Sequence, residues 1–327
     1  MPVMNMIEAI NHALSQALAS DPSVLILGED VGKSGGVFRA TDGLQAKFGE
    51  HRVVDTPLAE SAIIGGSVGL AARGLRPVAE IQFLGFIYEA MDQLVSQAAR
   101  MRFRTAGRIN LPMVVRSPYG GGVRTPELHS DSLEGLFVHS PGIKVVMPSS
   151  PYDAKGLLLA AIRDPDPVLF LEPMKLYRAI KEEVPEEAYT IEIGKARMVT
   201  QGEDLTLITW GAATPVAIAA ATAWQAHQKG SIEVIDLRTI VPMDEAAIIR
   251  SVEKTGRVLI VHEAVKSGGA GAEVAALISE KCMFSLLAPI MRVTGFDTPY
   301  PAFSVEDEWL PNALRITTAI EEILSYQ

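Results

Sequence analysis

RVVDTPLAESAIIGGSVGLAARGLRPVAEI, running from Arg52 to Ile81, is the stretch that decides the fold. It opens on a β-branched apolar run at 52–54, passes through a small-residue helical pattern at 60–73, and closes on a second apolar run at 77–81. A strand, a helix and a strand in that order form a crossover unit, which makes the two strands parallel and covers one face of their sheet. The alternation continues on both sides. Further strands are predicted at 24–27, 112–116, 144–147 and 167–171, with helices at 7–20, 87–104 and 151–164. Residues 181–188 are charged, contain proline and lack apolar periodicity, which predicts a linker. A second alternation follows, with strands near 205–210, 232–236, 257–261 and 291–293 and a last helix near 313–326. The fold class is therefore α/β with two domains, residues 1–185 and 186–327.

The bulk properties agree. A chain of 327 residues exceeds the size at which one hydrophobic core stops growing. A formal charge of -10 argues against a duplex-DNA or acidic-membrane partner. Cys282 is the single cysteine, so no intramolecular disulfide framework is possible and a reducing compartment fits. The start shows no basic segment followed by an apolar run, and the apolar runs elsewhere are shorter than a membrane span. The expectation is a soluble cytoplasmic protein with neither nucleic acid nor membrane as partner.

Thr56 is a suitable N-cap and Pro57 a suitable first helical residue, so a helix is predicted to start there. A capping box would place its glutamate at position 59, which is Ala59, so Glu60 is not explained by capping. The helix carries Gly65, Gly66 and Gly69 and almost no charge before Arg73, which implies close packing on all sides and puts Glu60 near a buried interface. A carboxyl group there could share a proton with a heterocycle nitrogen. The helix dipole alone also favours an acid in the first turn, and both readings stand at this stage.

The run Arg116-Ser117-Pro118-Tyr119-Gly120-Gly121-Gly122-Val123-Arg124 ends a predicted strand in a triple-glycine loop, and Asp131 with Glu134 resembles the start of a helix. His129 lies just before it on a flexible segment, where an imidazole could exchange protons near neutral pH or merely satisfy loop backbone groups. Gln82 and Phe86 follow another strand, a polar amide beside an aromatic ring, though such a ring is also ordinary core. Neither a Walker loop nor a full dinucleotide fingerprint is present; Gly269-Ala270-Gly271-Ala272-Glu273-Val274 lacks the third glycine. Paired metal-ligand histidines and Gly-x-Ser-x-Gly are also missing, which removes zinc peptidase and α/β-hydrolase chemistry.

Taken together, Gly28-Glu29-Asp30-Val31-Gly32, Thr56-Pro57-Leu58-Ala59-Glu60, Glu80-Ile81-Gln82-Phe83 and Arg124-Thr125-Pro126-Glu127-Leu128-His129-Ser130 resemble the beta subunits of thiamine-diphosphate-dependent 2-oxo acid dehydrogenase decarboxylase components. The resemblance runs into Asp236-Leu237-Arg238-Thr239-Ile240-Val241-Pro242 and Val252-Glu253-Lys254-Thr255-Gly256-Arg257, so it covers essentially the whole chain. Its nearest likeness is the bacterial pyruvate dehydrogenase branch. It implies a transketolase-like pyrimidine-binding domain followed by a transketolase C-terminal domain.

By this resemblance Glu60 hydrogen-bonds the aminopyrimidine ring of thiamine diphosphate, while Leu58, Gln82 and Phe86 line the pyrimidine pocket. His129 corresponds to the histidine that assists acyl transfer to a lipoyl arm. The resemblance also implies an alpha subunit that holds magnesium and diphosphate, an alpha2beta2 heterotetramer, and docking on a dihydrolipoyl acyltransferase core. This chain itself has no Gly-Asp-Gly motif for those ligands. A potassium site in some relatives would fall on Met113, Ala161, Ile162, Asp164 and Asp166, with Asp166 departing from the usual asparagine. The implied reaction is oxidative decarboxylation of pyruvate with reductive acetylation of lipoamide. Branched-chain 2-oxo acid and acetoin dehydrogenases are the alternatives within the class, and a nonenzymic scaffold subunit or a nicotinamide dehydrogenase the alternatives outside it.

Overall fold

In the computed structural model, which describes residues 1–227 and 230–326, fourteen strands are found. In chain order they are β1 (Val3–Asn5), β2 (Val24–Gly28), β3 (Val53–Asp55), β4 (Arg76–Glu80), β5 (Val114–Tyr119), β6 (Lys144–Val146), β7 (Val168–Pro173) and β8 (Lys181–Glu183). The second half adds β9 (Arg197–Thr200), β10 (Leu205–Thr209), β11 (Ile232–Asp236), β12 (Thr239–Val241), β13 (Val258–Val265) and β14 (Met291–Gly295). One sheet has the order β12-β6-β7-β5-β4-β2-β3 and the other β14-β13-β10-β11-β9. Apart from β12 and β9, which run antiparallel at the edges, the pairings in both sheets are parallel. Strands such as β7 and β10 are buried along their whole length, as sheets covered on both faces require.

Local signals account for most helix starts. Asn5 and Glu8 form a capping box for Met6–Ser20, Ser150 caps Pro151–Arg163 with proline in its first turn, and Asp244 caps Glu245–Thr255, which Gly256 ends in the left-handed region. Three expectations need correction. The helix after β3 starts at Glu60 with Ala59 at its cap, because the Thr56 amide is taken by the Gly28 carbonyl and the chain is still leaving the sheet there. The segment predicted as one helix over 87–104 divides into a 3-10 turn (Leu84–Ala90), a π-helix (Asp92–Ala98) and a short α-helix (Ala99–Arg104). The charged stretch read as linker contains β8, which pairs antiparallel with β1.

One apolar cluster spans both halves, and each half keeps a further cluster of its own. A continuous buried cluster runs from Leu27, Ile63 and Leu171 to Trp210, Ile235 and Val274. Ion pairs cross the contact: Arg238 donates to Asp153 at 2.9 Å, and Arg197 lies 3.4 Å from the same carboxylate. Among the described residues no helix is long and apolar enough to cross a membrane.

Candidate active site

Strand register gathers the candidate residues at one edge. Gly28 pairs with Asp55 on one side and with Glu80 on the other, so the carboxyl ends of β2, β3 and β4 are level. The chain leaves β2 for β3 and then crosses to β4 on the far side, and in open α/β sheets such a switch point opens a ligand crevice. Glu60 follows β3, while Gln82, Phe83 and Phe86 follow β4. Glu60 is half-buried at the first helical position; Leu58 is 69% exposed, open for contact with another molecule. The loop after β2 faces them: Gly32 donates its amide to Asp55 at 2.5 Å, and burial, with Asp30 and Glu60 nearby, raises the Glu29 carboxyl above its ordinary range.

His129 comes to the same edge on a 3-10 turn, Glu127–His129. That turn packs on the Leu84–Ala90 turn, which itself packs on the Glu60–Ala72 helix. The imidazole sits 4.5 Å from the Phe83 ring centre and 5.1 Å from that of Phe86, and its Nδ1 is buried without a partner. Gly85 permits the approach, since a Cβ there would strike the Leu128 carbonyl. Thr56 Oγ1 is a second buried atom without a partner at this edge. A carboxylate, an amide, two aromatic rings and an imidazole fit a flat, basic nitrogen heterocycle such as an aminopyrimidine.

Beneath this edge lies a network the sequence did not single out. Arg116 on β5 is fully buried and binds Glu80 at 2.7 Å and Glu172 at 2.6 and 2.9 Å, and Tyr177 donates to Glu172 at 2.7 Å. Burial opposes the charge of Arg116, yet Glu172 and Glu80 hold its guanidinium above its ordinary range; burial raises Glu80. Removing one member of such a cluster strands buried charge at a cost of about 3–5 kcal/mol. A second buried acid, Glu263 on β13, accepts a hydrogen bond from the Gly121 amide at 2.6 Å and lies near Glu134. The only hint in the sequence is a charge inside an apolar run, as in Val258–Val265.

The five positions matched to potassium do come together, but their oxygens are engaged. The Met113 carbonyl accepts from the Val168 amide and that of Ala161 from the Asp164 amide. Arg76 donates to the carbonyls of Ile162 at 2.8 Å and Asp164 at 3.3 Å. Lys144 holds the Asp164 carboxylate, and Arg102 that of Asp166. Arranged so, the cluster does not fit a bare cation, which would have to displace the Arg76 guanidinium. A hollow of about 1150 Å³, lined by Phe103, Leu111, Lys144 and Asp166, opens at the amino ends of β5–β7, away from the candidate site.

The family described as "Transketolase, pyrimidine binding domain" matches residues 3–180, and "Transketolase, C-terminal domain" matches residues 194–316. The chain is 55% identical to the "Pyruvate dehydrogenase E1 component subunit beta" of Bacillus subtilis (strain 168), and 54% identical to that of Staphylococcus aureus (strain Mu50 / ATCC 700699). Both alignments span 327 residues and cover the whole of each partner. A solved structure described as "Split gene transketolase, inactive beta4 tetramer" superposes with a TM-score of 0.80 over 99% of both chains at 21% identity, a likeness of fold.

Proposed function

Because the chain belongs to the family of pyruvate dehydrogenase E1 component beta subunits, with transketolase-type units in both halves, we propose that it acts as the beta half of a 2-oxo acid decarboxylase that takes pyruvate and passes the acetyl group to the lipoyl arm of an acyltransferase. Thiamine diphosphate, when bound, supplies a carbon nucleophile for the 2-oxo group and takes up the electrons left as carbon dioxide departs. The chain's own residues hold and orient. Glu60 keeps a proton at the aminopyrimidine nitrogen, Leu58, Gln82 and Phe86 pack around that ring, and His129 exchanges a proton as the acyl group moves to sulfur.

The observation that carries this reading is the convergence of Glu60, Gln82, Phe86 and His129 on one sheet edge, with His129 Nδ1 buried and unpaired there. Magnesium and the diphosphate fall to an alpha subunit. The chain has no Gly-Asp-Gly, and among the described residues no group of three or more His, Cys, Asp or Glu side chains could hold a metal. We propose an alpha2beta2 assembly docked on a dihydrolipoyl acyltransferase core in the cytoplasm, with the domain boundary at 185/186.

The test is co-expression with an alpha chain and assay against pyruvate, branched-chain 2-oxo acids and acetoin. Pyruvate-dependent, thiamine-dependent turnover is expected, and Glu60→Gln should lower it by about 10²- to 10⁴-fold. A variant at full rate would remove the role given to Glu60. Preference for another substrate would move the chain to a sister branch.

A further inference from the structure

We propose that Glu263 is the positioning residue of the His129 loop, a carboxylate lent by the second half of the chain that ties together the two ends of segment 120–132. The inference rests on the role given to His129 above. Glu263 Oε1 accepts from the Gly121 amide at 2.6 Å and from the Ser132 hydroxyl at 3.2 Å, so one oxygen spans the loop's entry and exit. The Gly120 amide donates to the Asp131 carbonyl at 3.2 Å and closes the same neck. Between these points Val123, Arg124 and Leu128 are exposed, and His129 sits three residues before the Ser132 anchor.

The triple glycine makes sense against this contact. Gly120 lies at φ +82, and a Cβ there would come within 2.7 Å of Glu263 Oε1. At Gly121 the Cβ position is taken by the Tyr300 hydroxyl, and at Gly122, with φ +88, by the Lys175 stem at 2.6 Å. Glycine at 120 and 121 therefore lets the loop backbone press against the second half of the chain, and at 122 against Lys175 of the first. Glu306 adds a further hold, accepting from the Arg124 amide at 3.2 Å and from the Tyr300 hydroxyl at 2.8 Å.

The charge of Glu263 is sensitive to its surroundings. Burial pushes the carboxyl up to about 7; the Gly121 amide, Ser132 and Lys175 oppose that rise, and Glu134 adds to it. Tyr119 at the end of β5 and Tyr300 after β14 also face it. An ionised acceptor binds an N–H about twice as strongly as a neutral one, so the grip tightens as pH rises through 7. Stability changes with the opposite sign. The folded chain holds this proton more tightly than the unfolded one, so the contribution of Glu263 to folding falls as pH rises from 4.5 to about 7.

The experiment is hydrogen exchange on the assembled alpha–beta protein between pH 6 and 8, followed on peptides covering 120–132, with lipoyl acetylation measured in parallel. In the parent, protection of the loop should rise with pH. Glu263→Gln should remove that dependence, lower protection about 10- to 100-fold, and slow acetyl transfer while thiamine diphosphate affinity by calorimetry holds. Ser132→Ala, a gentler change, should give a smaller loss in the same peptides if the Gln variant does not assemble. Parent-like protection and transfer in either assembled variant overturns the proposal. His129→Ala separates the two ideas: a silent His129→Ala beside a loosened loop in Glu263→Gln sinks the histidine's role, and the reverse pattern sinks this one.

Discussion

His129 offers a ring nitrogen that is buried yet hydrogen-bonded to nothing, beside the Phe83 and Phe86 rings. His12 Nδ1 and both nitrogens of His262 are unpaired as well, so it is the place of His129 at the carboxyl edge of β2–β4 that marks it as a proton carrier. Replacing it with alanine should slow acetyl transfer to a lipoyl domain by about 10²- to 10⁴-fold and leave thiamine diphosphate affinity unchanged, as read by stopped-flow kinetics and calorimetry. Unaltered transfer would count against the assignment. At this scale the sequence was only partly legible. The motifs pointed to Glu60 and His129, but the aromatic seat of the imidazole joins residues far apart in the chain. In the sequence Arg116 and Glu263 are single charges inside apolar runs, with no motif to mark them. Only strand pairing reveals that Arg116 meets Glu80 and Glu172, and that Glu263 reaches a loop of the other half.

Elements were legible where they obey one period. The crossover unit at 52–81 emerged as two parallel strands, β3 and β4, on either side of β2 and joined by a helix, because β-branched runs and a small-residue helix carry different signatures. The segment 84–104 was not, since it changes period along its length. Leu94 and Ala98 are buried four residues apart, a spacing an α-helix serves as well as a π-helix, so the apolar pattern does not announce the change. That irregular segment carries Gly85, against which the His129 turn rests. Gly85→Ala should push the Leu128 carbonyl away and misplace the imidazole, lowering kcat for acetyl transfer by on the order of 100-fold and lowering the thermal midpoint as well. A variant with parent kinetics would mean that the two turns need not touch.

At the scale of the whole molecule, the α/β class and the presence of two sheets followed from alternation alone. Their joining did not. The contact between halves depends on buried ion pairs such as Arg238 with Asp153 and on β12, which crosses from the second half into the first sheet. A three-residue strand inside Asp236-Leu237-Arg238-Thr239-Ile240-Val241-Pro242 carries no periodic signal of its own.

That borrowed strand has a price for anyone trimming the chain. A fragment ending at residue 185 would keep the candidate cofactor edge but lose Thr239–Val241, leaving the backbone donors and acceptors of Lys144–Val146 bare along one rim. Bare rims of sheets recruit one another. Sedimentation of such a fragment should therefore reveal self-association beyond any that the full chain, with its own cover in place, undergoes.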